Sequence, residues 1–153
     1  TLCELGELYF ELNDYRASKQ FFMDGLEVSQ KINDIMNVVR INTGLARLYL
    51  KFKDTDKALT YLNAAEKLAK AAKSYKDLSK ICMVYSENYS ISGDFKEAKL
   101  FLDKHYKYLE KINNLTESNK IQAIMLGHIK NTEVTKEPAY YYNLQKDQIV
   151  SVA

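Results

Sequence analysis

Tyr9, Tyr49 and Tyr89 stand 40 residues apart, and Asp14, Asp54 and Asp94 keep the same interval. Two further columns hold that register: a bulky one (Phe22, Leu62, Leu102) and a small one (Ser18, Ala58, Ala98). A fixed period of this size, held by columns of different chemistry, marks units that stack on one another, because no single unit can bury its apolar face alone. Such stacks commonly hold other molecules and rarely transform them, so the period bears on function as well as on fold.

Composition narrows what each unit can be. One Pro and five Gly in 153 residues suit long helices and not a fold of many tight turns. Hydrophobic residues make up 46% of the chain, enough to build a core. No apolar run approaches the roughly 18 residues that span a bilayer. With 22 basic and 20 acidic residues the net charge is +2, which argues against a nucleic-acid footprint. Cys3 and Cys82 lie on apolar helix faces and are expected to be buried thiols, which points to a reducing, cytoplasmic setting. A periplasmic sensor region is the alternative. The chain opens on Thr1, inside its first unit, and is expected to be a piece of a longer protein.

Each unit reads as two helices. Leu2, Leu5, Gly6, Tyr9 and Phe10 follow helical spacing, Asn13-Asp14 interrupts it, and Tyr15, Ser18, Phe22, Gly25 and Leu26 resume it. Asp34 opens a helix carrying Val38, Leu45 and Tyr49, and Lys53-Asp54 makes the next turn. Ser74 can cap a helix carrying Leu78, Cys82 and Tyr85, and Gly93-Asp94 turns the chain again. The units are expected at 1–33, 34–73 and 74–113, followed by a capping helix over about 117–130, with the repeat domain spanning 1–133. Residues 134–153 would be either a capping segment or the start of a linker. About seven or eight helices result.

The pairs Leu5-Gly6 with Tyr9, Leu45-Ala46 with Tyr49, and Tyr85-Ser86 with Tyr89 resemble the first-helix pattern of the tetratricopeptide repeat, in a 40-residue form. Ser18, Phe22 and Gly25, then Ala58, Leu62 and Ala65, resemble its second-helix pattern. The third unit departs at His105, where a small residue is usual, implying looser packing or an end-of-stack role. The resemblance implies an all-α fold, an alpha-alpha superhelix of stacked antiparallel helix pairs wound right-handed. It also implies a non-catalytic module that binds a protein or peptide. A fainter likeness, over Leu102 to Ile124, is to tetratricopeptide modules of bacterial sensor kinases and transcription regulators. It would make this piece a sensing or dimerising part, with a homodimer as one form.

In that family the first helices line a concave face. The positions carried over are Arg40, Thr43, Arg47, Leu50 and Lys51 from the second unit, and Lys80, Met83 and Glu87 from the third. Arg40, Arg47 and Lys51 form a basic strip that could receive a carboxylate. Glu7 of the first unit could instead pair with Arg47, and mutual neutralisation is the competing reading. The Lys/Asn/Arg constellation that reads a chain-terminal carboxylate is missing: Cys3, Glu7, Thr43, Arg47 and Met83 occupy the corresponding places. Tyr140, Tyr141 and Tyr142 are either an interface anchor or a cap over the last repeat. His105 and His128 have no partners at metal-ligand spacing, and no phosphate loop or nucleophile motif appears. No metal, cofactor or catalytic residue is expected.

Overall fold

The computed structural model describes residues 1–126. They form six helices: α1 (Leu2–Glu11), α2 (Tyr15–Lys31), α3 (Ile35–Lys51), α4 (Thr55–Ala71), α5 (Tyr75–Ile91) and α6 (Phe95–Met125). No strand occurs among the described residues, and the fold is the all-α stack of helix pairs that the period implies.

The turns explain the aspartate column. From α2 onward a helix begins every 20 residues, half the sequence period. Each turn passes through one left-handed residue: Asn13, Asn33, Lys53, Lys73 and Gly93, with φ of 62°, 55°, 57°, 53° and 86°. The N–H of the next residue then bonds back five positions, as in Asp14 to Tyr9 O (2.9 Å), Asp54 to Tyr49 O (3.0 Å) and Asp94 to Tyr89 O (2.8 Å). This doubly bonded C-terminal turn satisfies carbonyls that the ending helix leaves free. The same aspartates cap the following helix, accepting from the backbone N–H of Ala17, Lys57 and Glu97. One residue thus closes one helix and opens another. Ser74 takes the equivalent position without that bond. Its hydroxyl donates to Asp77 at 2.6 Å, so the expected serine cap is not made by the side chain.

Within each unit the two helices cross at the small column. Ser18 donates to Gly6 O at 2.7 Å, Ala58 and Ala46 are wholly buried, and Ser86 donates to Ala98 O at 2.8 Å. The three period-defining tyrosines share one environment. Tyr9 stacks on Phe21, Tyr49 on Tyr61 and Tyr89 on Phe101, with ring centroids 5.1, 5.6 and 5.5 Å apart. Two apolar clusters form the core. One, around Phe22, Ile41 and Leu45, joins the first pair to α3, and the other, around Leu62, Ile81 and Tyr85, joins the second pair to the third. Cys3 and Cys82 are free, buried thiols.

Two expectations change. His105 does not loosen the third pair: it is 2% exposed, and its Nδ1 lies 2.8 Å from Ser79 O, so the ring bridges α6 to α5. Nor does the chain turn near Asn114 into a separate capping helix. α6 continues unbroken for 31 residues, against 17 in α5. The stretch Asn113–Glu117 holds no Gly or Pro, and Thr116 Oγ1 donates to Ile112 O at 2.9 Å inside the helix. Continuing the helix satisfies each backbone group locally, while a turn gains only if the next helix finds a face to bury. The remainder of the expected helix, His128, Tyr140 to Tyr142 and the 134–153 segment lie outside the described residues.

Candidate functional site

The first helices touch one another directly, α1 with α3 and α3 with α5, whereas α2, α4 and α6 each contact mainly the neighbouring first helices. That spacing puts α1, α3 and α5 on the inner side of the stack. Between them lies a groove of about 550 Å³. Six of the eight expected positions line it: Arg40, Thr43 and Arg47 from α3, and Lys80, Met83 and Glu87 from α5. They meet there because parallel first helices present the same face, one helical turn after another.

The other two do not. Leu50 is 3% exposed and packs into the core with Ala46 and Leu62, so it faces the helix partner and not the groove. Lys51 is exposed, with its ammonium 5.5 Å from the Phe10 ring centroid, outside the groove lining. Residues missed by the sequence reading also line the groove. Gly44 and Val84 widen its apolar floor, and Asp77 and Ser86 add polar groups beside Ser90, which the third unit's groove-facing positions already included. Their signal was faint: Gly44 belongs to no repeated column.

The basic strip is largely occupied. Arg40 reaches both carboxylate oxygens of Glu7, at 3.1 and 3.0 Å. Arg47 lies 3.6 Å from Glu11 and rests over the Phe10 ring at 4.6 Å. The expected Glu7–Arg47 pair is therefore replaced by two others. Each partner sits seven or four residues earlier in α3 than the position equivalent to the glutamate, so neighbouring first helices are staggered along their axes. These pairs are 41–70% exposed and contribute about 0–1 kcal/mol each, so they set charge more than stability. Lys80 differs. It forms no ion pair among the described residues and is half-buried. Burial, and then the nearby Lys76 charge, push its ammonium below the usual lysine value. The groove therefore offers one cation without an ion pair among the described residues, an apolar floor at Met83 and Val84, and an exposed carboxylate at Glu87. Such an array can hold an extended polar chain, and it has no nucleophile beside a base.

The sequence pattern of the tetratricopeptide repeat family matches residues 1–32 and 39–76, the first two helix pairs. The chain is also similar to tetratricopeptide repeat protein 29 of Trypanosoma brucei brucei (strain 927/4 GUTat10.1), at 24% identity over 123 residues. These matches support assigning the chain to the tetratricopeptide repeat family. The alignment with the trypanosome protein takes in 79% of this chain and 26% of the relative, so the chain spans about a quarter of the protein it resembles. No solved structure matches the chain significantly. The third pair, outside the matched residues but for the first two positions of α5, repeats the turn and the tyrosine stack of the first two. Tetratricopeptide repeats form scaffolds for protein–protein interaction, generally without catalysis. No described helix is long and apolar enough to cross a membrane, and no group of metal-binding side chains gathers among the described residues.

Proposed function

We propose that this tetratricopeptide stack is a non-catalytic, cytoplasmic scaffold that holds an extended peptide segment of a partner protein in the groove between α1, α3 and α5. The groove itself supports this most: α3 and α5 bring Arg40, Thr43, Arg47, Lys80, Met83 and Glu87, with Glu7 of α1, around one concave volume of about 550 Å³. Its preformed wall spends little entropy on ordering, which favours binding of a flexible chain. With both arginines paired, Lys80 and Glu87 select by charge, and Met83 supplies an adaptable apolar contact. Nucleic acid is disfavoured by the balanced charge.

The test is a display selection of random peptides on the chain, followed by titration of the selected peptides against Lys80→Glu and Met83→Arg. Affinity falls by about 10-fold or more in each variant if the groove is the site. Selected peptides that bind both variants unchanged would remove the groove from consideration.

A second reading rests on α6. Its last turns run well beyond the 17-residue length of α5, which suits a helix leading to a signalling or DNA-binding part, as in bacterial sensors and regulators. In that case the piece senses or dimerises. Sedimentation equilibrium of the chain, showing a dimer abolished by Ile121→Glu, is the outcome this reading requires.

A further inference from the structure

A second cleft, of about 200 Å³, lies between α4 and α6 over Cys82, on the side of α5 turned away from the groove. Lys70 of α4 and Lys104, Lys107 and Lys111 of α6 line it. The three α6 lysines are three and four residues apart, on one helical face. Glu66 is the one carboxylate in the lining, and it is paired with Lys70 at 3.3 Å. The other three lysines form no ion pair among the described residues. Four positive charges therefore face one negative.

The cations are also held in place. Lys104 sits 4.4 Å over Phe101, and Lys111 sits 5.2 Å over Tyr75 and 5.6 Å over Tyr108. Those two tyrosines stack on each other across α5 and α6. Ring contacts restrict the flexible stems, so less freedom is lost when an anion arrives. The Tyr108 hydroxyl adds a neutral donor to the lining.

We propose that this cleft receives a phosphate monoester carried on an extended segment of a partner protein. A carboxylate brings one charge, whereas a phosphate monoester brings about −1.5 to −2 and three acceptor oxygens, which matches several lysines converging on a small volume. The flanks point to a peptide. Leu100 lies four residues before Lys104 and Leu115 four after Lys111, on the same face of α6, and they are 45% and 50% exposed. The two leucines are about 22 Å apart along the helix axis, roughly the span of seven extended residues. Asp103 and Glu110 stand exposed beside the lysines and repel a flat anionic membrane.

The test is calorimetric titration of the chain with a seven-residue peptide bearing leucine at both ends and phosphoserine at its centre. Its serine counterpart, inorganic phosphate and phosphoinositide-containing vesicles are the comparison probes. The phosphopeptide is expected to bind about 10-fold or more tighter than the serine peptide, and to lose about 10-fold in Lys104→Gln/Lys107→Gln, with binding weakened by salt. The variant's helix content, read by circular dichroism, is expected to stay unchanged because both side chains are exposed. Equal affinity for the two peptides, or an unaffected variant, would overturn the proposal. So would inorganic phosphate binding as tightly as the phosphopeptide, or vesicle binding without phosphopeptide binding. Lys80→Glu separates the two sites: loss of phosphopeptide binding there, with Lys104→Gln/Lys107→Gln intact, assigns it to the groove and sinks the cleft.

Discussion

At the scale of single residues the first unit is organised around Phe22, which is 1% exposed. A Cβ on Gly6 would come within 2.5 Å of its ring, and a Cβ on Gly44 would come equally close to the ring tip. The ring thus occupies space that a Cβ at either glycine would need. The second unit solves the same problem with a larger and a smaller residue, Ala46 and Leu62, both wholly buried. Gly6→Ala should therefore destabilise by about 1–3 kcal/mol despite alanine's better helix propensity. Phe22→Leu in the same chain should recover part of that loss, and a double-mutant cycle on urea midpoints measures the coupling. Asn88 runs the other way. It is 1% exposed, and neither side-chain polar atom has a hydrogen-bond partner among the described residues, while the equivalent Leu48 is comfortably buried. Asn88→Leu should stabilise by about 1–2 kcal/mol, read by thermal melting. The Gly6–Phe22 relation was legible in the repeated columns. The Gly44 contact was not, because it joins different units and no periodic column carries it.

At the scale of elements the recurring device is a left-handed residue followed by a capping residue. Lys53 and Lys73 adopt this conformation with a Cβ, where Gly93 does so without one. Lys53→Gly and Lys73→Gly should each raise stability by about 0.5–1 kcal/mol, the relief of strain exceeding glycine's entropy cost. A higher melting midpoint for both is the check, and a drop in either would mean the lysine stem makes a contact worth more than the strain. Asp94→Ala removes the bond to the Glu97 N–H and should cost about 0.5–2 kcal/mol. Asp columns and Asn-Asp pairs made these turns visible in advance. The continuation of α6 was invisible, since Asn113-Asn114 resembles the pairs that turn elsewhere. Whether such a pair turns depends on whether another helix follows closely enough to be packed against.

At the scale of the molecule α3 is the shared wall. Ile41, Leu45 and Leu48 belong to the first core, and Val39, Ala46 and Leu50 to the second. Burial holds a thiol in each half above its ordinary value of 9.0, at about 11 for both Cys3 and Cys82. A thiol whose pKa rises on folding favours the folded state while it stays protonated. That contribution is whole below about pH 9 and is lost as pH climbs through about 11. The melting temperature should therefore fall across this window, and the decline should be shallower in Cys3→Ala/Cys82→Ala. An identical slope in the double variant would show that other groups carry the pH dependence.

Periodicity alone determined the three helix pairs and the turns within and between them, because local hydrogen bonding and apolar spacing repeat with the chain. Tertiary structure decided the charge pattern of the groove. The stagger between neighbouring first helices gave Glu7 to Arg40 and Glu11 to Arg47, leaving Lys80 without an acidic partner among the described residues. It also brought Lys70 beside Lys104, Lys107 and Lys111 across two helices. Equivalent columns say which residues share a role, but the offset between units sets which side chains meet, and that offset depends on the packing of whole helices.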